Sequence, residues 1–109
     1  DKGKEVKVNR AKRMRVDFEL TANELAEPGE KSIYVVITGP DGYTLSPAEM
    51  ILFMFEGEEM MASAVRKVDY ENETVPVSIF YDGTFTKGTY KYDIYVDGRL
   101  SGSQQVYFE

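Results

Sequence analysis

The sequence predicts an all-β fold, an antiparallel β-sandwich of about seven to eight short strands, and three observations carry that expectation. Apolar and polar residues alternate with a period of two over most of the chain. Turn dipeptides recur at intervals that suit short strands, with Gly-Pro, Asp-Gly and Pro-Gly pairs spread along the chain. Helix signals are nearly absent: Ala22 to Ala26 offers at most one turn, and Ser46 to Glu49 a short capping pattern.

With 109 residues, 42% hydrophobic and 29% charged, the chain suits one domain with one core. No apolar run is long enough to cross a bilayer as a helix, and no signal-peptide pattern is present. The chain opens on Asp1 with no initiator methionine, which reads as a processed chain or a piece of a longer one. Charge divides it in two. The first fifteen residues hold seven Lys or Arg against Asp1 and Glu5, a net +5, and the rest carries −11. Residues 1–12 therefore read as a basic extension or entry strand and 13–109 as the sandwich. An acidic body argues against a nucleic-acid module, so the arm reads as a solvated lead-in.

The strands follow in order. Met14, Val16, Phe18 and Leu20 alternate with Arg13, Arg15, Asp17 and Glu19, one face in and one out. Ile33, Val35 and Ile37 form the next inward row, ended by the tight-turn sequence Gly39-Pro40-Asp41-Gly42, with Leu45 on the far side. Val75, Val77, Ile79 and Tyr81 form another, with Pro76 marking an edge strand because proline donates no ladder hydrogen bond. The longer connections at Thr21 to Glu30 and Asp82 to Lys87 are the expected crossings between sheets.

Met50 to Phe55 breaks the alternation, being apolar on both faces. It is expected to be covered by the Thr21 to Glu30 loop or the N-terminal arm, or else to expose a self-association surface through Ile51, Phe53 and Phe55. Glu56-Gly57-Glu58-Glu59 supplies a charged turn beyond it, leading to a strand from Met61 to Tyr70. Asn72-Glu73-Thr74 fits a glycosylation sequon but reads as a hairpin turn between Tyr70 and Val75.

The closing stretch from Lys87 to Phe108 holds four of the eight tyrosines. Tyr90, Tyr92, Ile94 and Val96 share one face and read as core. Thr89, Lys91, Asp93 and Tyr95 share the other and read as solvent-facing. A two-residue Asp97-Gly98 hairpin would set every apolar residue against a polar partner, so a three-residue loop is expected, placing Leu100, Gly102, Val106 and Phe108 with the core row. Tyr34, Tyr95 and Tyr107, with Phe80 beside them, then remain as surface aromatics. The three tyrosines are the candidate ligand-binding residues, since exposed rings form stacking platforms for sugars.

Little in the chain looks catalytic. It has no histidine and no cysteine, which removes the commonest proton-transfer group, thiolate nucleophiles and most transition-metal ligands. Asp41, Asp82 and Asp97 each precede a glycine, but no Asp-x-Asp-x-Asp spacing accompanies them, and Asp-Gly is ordinary turn chemistry. The expectation is no catalytic residue, no metal and no cofactor.

Gly88-Thr89-Tyr90 at the start of a strand, followed by Tyr92, Ile94, Val96 and Asp97-Gly98, resembles the final hairpin of immunoglobulin-like and fibronectin type III-like domains. That resemblance implies a tyrosine corner, with the Tyr90 hydroxyl bonded to nearby backbone. The disulfide and core tryptophan of antibody domains are missing. A longer pattern is similar to the terminal β-sandwich of bacterial envelope proteins built from a membrane anchor, a coiled coil and this domain. It comprises Arg15-Val16-Asp17-Phe18, Glu27-Pro28-Gly29-Glu30-Lys31, Ile33-Tyr34-Val35, Gly39-Pro40-Asp41-Gly42, Val68-Asp69-Tyr70 and Gly88-x-Tyr90. The resemblance implies an extracytoplasmic domain in the periplasm or at the cell surface, joined to the membrane only through an upstream anchor.

Three functions follow as expectations: a non-catalytic module for binding or assembly with a protein partner in the cell envelope, a carbohydrate-binding module on the exposed tyrosines, and a homodimer formed through the strand at 50–55. No nucleic-acid partner is expected.

Overall fold

The computed structural model describes residues 12–21 and 27–109. The arm at 1–11 and the single-turn expectation at Ala22 to Ala26 lie outside them. The described residues form eight strands and no helix: β1 (Arg13–Leu20), β2 (Gly29–Thr38), β3 (Ile51–Phe55), β4 (Glu58–Ala62), β5 (Ala64–Tyr70), β6 (Val75–Asp82), β7 (Gly88–Val96) and β8 (Arg99–Phe108). All pairings are antiparallel. The capping pattern at Ser46 to Glu49 yields no helix, only bends.

A four-stranded sheet in the order β5-β2-β7-β8 is the centre of the molecule. The two-stranded β1-β6 sheet covers one face of it. Met14 and Val16 from β1 and Val77 and Ile79 from β6 meet Ile33, Val35 and Ile37 of β2 and Tyr90, Tyr92 and Ile94 of β7 in one buried cluster. These are the rows that alternation marked as inward. Pro76 sits opposite Glu19 in a strand that, among the described residues, is paired on one side only, which suits its missing N–H. The chain crosses between the sheets at both expected connections. It crosses again at 71–74, so the sequon turn is a corner between sheets rather than a hairpin. Asn72 there has a φ of 62° and accepts a hydrogen bond from the Tyr70 hydroxyl at 2.7 Å.

The β3-β4 hairpin covers the opposite face of the central sheet. Phe53 and Ala62 pack with Val36 of β2 and Tyr95 of β7 in a second buried cluster, flanked by Tyr34, Ile51, Phe55 and Met60. The N-terminal arm and residues 22–26 of the loop expected to cover the apolar strand lie outside the described residues; the back of the central sheet covers its inward face. The reason lies in β2: Ile33-Tyr34-Val35-Val36-Ile37 is itself apolar on both faces, and two such strands remove each other's excess from water.

Ser63 holds the hairpin in place at the break between β4 and β5. It is buried, its N–H donates to the Val35 carbonyl at 2.8 Å, and its hydroxyl donates to the Leu45 carbonyl at 2.7 Å. The same hydroxyl accepts from the Ile37 N–H at 3.0 Å. Two backbone groups of the sheet and its following loop would lose a partner without it.

Candidate functional site

The structure redistributes the residues singled out from sequence. Tyr95 is buried, with 6% of its surface exposed, because Phe53 and Phe55 close over it with ring centroids at 5.0 Å and 4.9 Å. Its expected exposure is corrected. The alternation that assigned it to solvent is real, but that face is covered by a hairpin remote in sequence. Burial pushes its phenol upward, helped by the nearby carboxylates of Asp93 and Glu56. Tyr34 is half-buried and stacks on Phe53 at 4.6 Å with planes 11° apart. Of the three candidate tyrosines only Tyr107 is exposed, at 63%, and it lies on β8 opposite Thr89, away from the other two. Phe80 is also exposed, with the Arg13 guanidinium 5.2 Å over its ring.

Ile51, Phe53 and Phe55 likewise point the other way from an interface. They face the central sheet. The residues that alternate with them face out: Met50, just before the strand, is 73% exposed, Leu52 44% and Met54 56%. Met61 lies directly opposite Leu52, and Glu59 opposite Met54. The back of the hairpin is therefore an apolar stripe rich in methionine, bordered by exposed Glu49, Glu56, Glu58 and Glu59. Methionine side chains are unbranched and polarizable, so such a stripe adapts to the shape of a partner. An exposed apolar patch with a polar border is the usual form of a protein-binding surface.

The closing hairpin departs from its expected loop. Asp97 and Gly98 form a two-residue turn with φ of 50° and 82°, the type I′ geometry that the dipeptide favours. The one-residue shift comes instead from a bulge: Ile94 pairs with Gly102 and Tyr95 with Leu100, leaving Ser101 extra. Gly102, Val106 and Phe108 thus join the core row, whereas Leu100 falls on the opposite face beside Tyr95 and is exposed. Asp97 pins the turn to β2. Its carboxylate accepts from the Ser32 N–H at 2.9 Å, its own N–H donates to the Ser32 carbonyl at 2.9 Å, and the Lys31 ammonium lies 3.6 Å away.

At the other end of β7, the Tyr90 hydroxyl donates to the Thr86 carbonyl at 2.7 Å and accepts from the Thr86 N–H at 3.0 Å, the bond to nearby backbone that the resemblance implies. Gly88 has a φ of 140° and lies against Pro40, whose ring stands 2.6 Å from where a Cβ would be, so no other residue fits. Phe85 in the preceding loop is buried and meets Tyr90 edge-on at 6.3 Å. Alternation does not reach a loop residue, and its signal is only a lone phenylalanine between two strands. Tyr92 differs from Tyr90. Its hydroxyl is buried with no partner among the described residues, and burial, with Tyr90 beside it, pushes its pKa up to about 12.

A cavity of about 670 Å³ opens between the end of β1 and the β7-β8 hairpin. Phe18, Leu20, Ile94 and Val96 line its apolar part, and Glu19, Glu27, Asp97, Lys31 and Arg99 its charged part. Among the described residues no group of three or more carboxylates is placed to hold a metal ion.

Fold and site together define a small antiparallel β-sandwich module with a layered apolar interior and an exposed methionine-rich back. The chain belongs to the family described as Domain of unknown function (DUF8428), whose model matches residues 1–109. No curated protein and no solved structure matches it.

Proposed function

We propose that the chain is a non-catalytic immunoglobulin-like module that binds or assembles with a protein partner in the bacterial cell envelope, through the back of the β3-β4 hairpin. The order β5-β2-β7-β8 over β1-β6 corresponds to strands C′, C, F and G over B and E of that fold, with β3-β4 inserted between C and C′. The corner bond of Tyr90 at the start of the F-like strand supports the same correspondence. The envelope location rests on the sequence resemblance, and the absence of catalysis on the lack of histidine and cysteine.

One observation carries the binding role: Met50, Leu52 and Met54 stand exposed in a row while the alternate residues of the same strand are packed inward. The acidic border favours a partner with basic residues around apolar anchors, and disfavours this face meeting itself. A sugar platform has less support, because of the three candidate tyrosines Tyr34 and Tyr95 are engaged with Phe53 and Tyr107 alone offers an exposed ring.

A photo-crosslinking residue placed at Leu52 in the native cell tests the reading. It gives a discrete adduct with one partner, whereas the same residue at Glu73, in the corner after β5, gives none. No adduct at Leu52, or equal labelling from both positions, contradicts it.

A further inference from the structure

The outer edge of β8 carries no partner strand among the described residues. The other edges of the two main sheets are guarded. β5 carries Arg66, Lys67 and Asp69, β1 alternates Arg13, Arg15, Asp17 and Glu19, and β6 has Pro76. Charge and proline on an edge discourage pairing with another chain. Between Arg99 and Glu109, β8 has neither, although at ten residues it is as long as any strand in the fold.

We propose that β8 pairs antiparallel with β8 of a second copy, about a two-fold axis at Gln104, joining two central sheets into one. The two ends of the strand carry opposite charge, so this pairing brings Arg99 of each copy to the end of the other strand that holds Glu109. Parallel pairing would set like charges together. The register also places Val106 of the second copy beside Gly102. Both residues lie on the inward face of the sheet. A Cβ added at Gly102 would meet nothing within 4 Å, and the cavity opens at that residue and its neighbours Arg99 and Ser101. Val106 of the second copy, while still packed on its own core, would then stand beside the open space over Gly102, twice per pair.

This contact is separate from the hairpin back, and its test is chosen to keep the two apart. The chain has no cysteine, so a single Gln104→Cys introduces the only thiol. Residues paired across an antiparallel axis have Cα atoms roughly 4.5 to 5.5 Å apart, within disulfide reach. Under mild oxidation Gln104→Cys forms a disulfide-linked dimer, Glu73→Cys does not, and a mixture of Ser103→Cys with Gln105→Cys joins into a mixed dimer. Adding Arg99→Glu to Gln104→Cys lowers the yield, and adding Glu109→Lys to both restores it. Met54→Glu leaves the yield unchanged, even if the hairpin back proves to bind nothing. Failure of Gln104→Cys to dimerise faster than Glu73→Cys in folded protein, or a yield indifferent to the charge reversals, overturns the proposal.

Discussion

The two faces of the central sheet are covered by different means. On one side, the β1-β6 sheet brings two long strands, and the cluster between the layers holds twelve buried residues. On the other, a hairpin of two five-residue strands closes a cluster of four buried residues, two of them its own. The first layer has a charged outer surface, with Arg13, Arg15, Asp17 and Glu19 turned to water. The hairpin does not, because β3 is apolar on both sides. A thin layer added to close a sheet's second face leaves its own back to be covered, and here that back is the methionine stripe. The sheet thus has a closed core on one face, and on the other a hairpin whose own back is left apolar and exposed.

The largest difference is expected from truncating the two layers. Ile33→Ala, at a residue with no exposed surface, removes packing from the larger cluster and should lower stability by about 2 to 5 kcal/mol in a single cooperative unfolding transition. Phe53→Ala deletes the ring that Tyr34 and Tyr95 pack upon, and should loosen the hairpin while lowering the global transition less. Equal losses in a denaturant titration would mean that the layers are one unit.

A smaller effect separates the two core tyrosines within the larger cluster. Tyr90 has its hydroxyl satisfied by Thr86, while Tyr92 does not and is shifted up to about 12 from its ordinary 10. Below pH 10 both folded and unfolded chains keep the proton and nothing is lost. Between pH 10 and 12 the unfolded chain releases it and the folded chain does not, so stability falls by about 2 to 3 kcal/mol over that window. Tyr92→Phe should remove that part of the alkaline decline, and at neutral pH should be neutral or stabilising by about 1 kcal/mol, because it deletes an unpaired buried hydroxyl. An unchanged alkaline limb in the Tyr92→Phe protein would show that another group is responsible.

Much of this architecture is legible in the chain wherever one face of a strand meets water. The rows of β1, β6 and β7, the Gly39-Pro40-Asp41-Gly42 turn, the edge marked by Pro76 and two of the crossings follow from alternation and turn chemistry. The candidate site is less legible. Tyr95 shares its face with Thr89, Lys91 and Asp93, and local pattern assigns it to solvent. Only a strand forty residues away decides otherwise. The clue was present in composition: β2 and β3 are the two runs apolar on both faces, and each is the other's cover. The closing hairpin shows the same limit. Hydrophobic pattern demands a one-residue shift, but Asp-Gly does not say whether the turn or a bulge at Ser101 supplies it.

The claim that the hairpin is a separately held layer, and its back a surface free to bind, is tested most directly by native-state hydrogen exchange. Amides of β3 and β4 should exchange through local opening, at a lower free energy and with weaker denaturant dependence than those of Val35 in β2 and Tyr92 in β7. One shared exchange free energy and one shared denaturant dependence for the hairpin and the core strands would contradict the account.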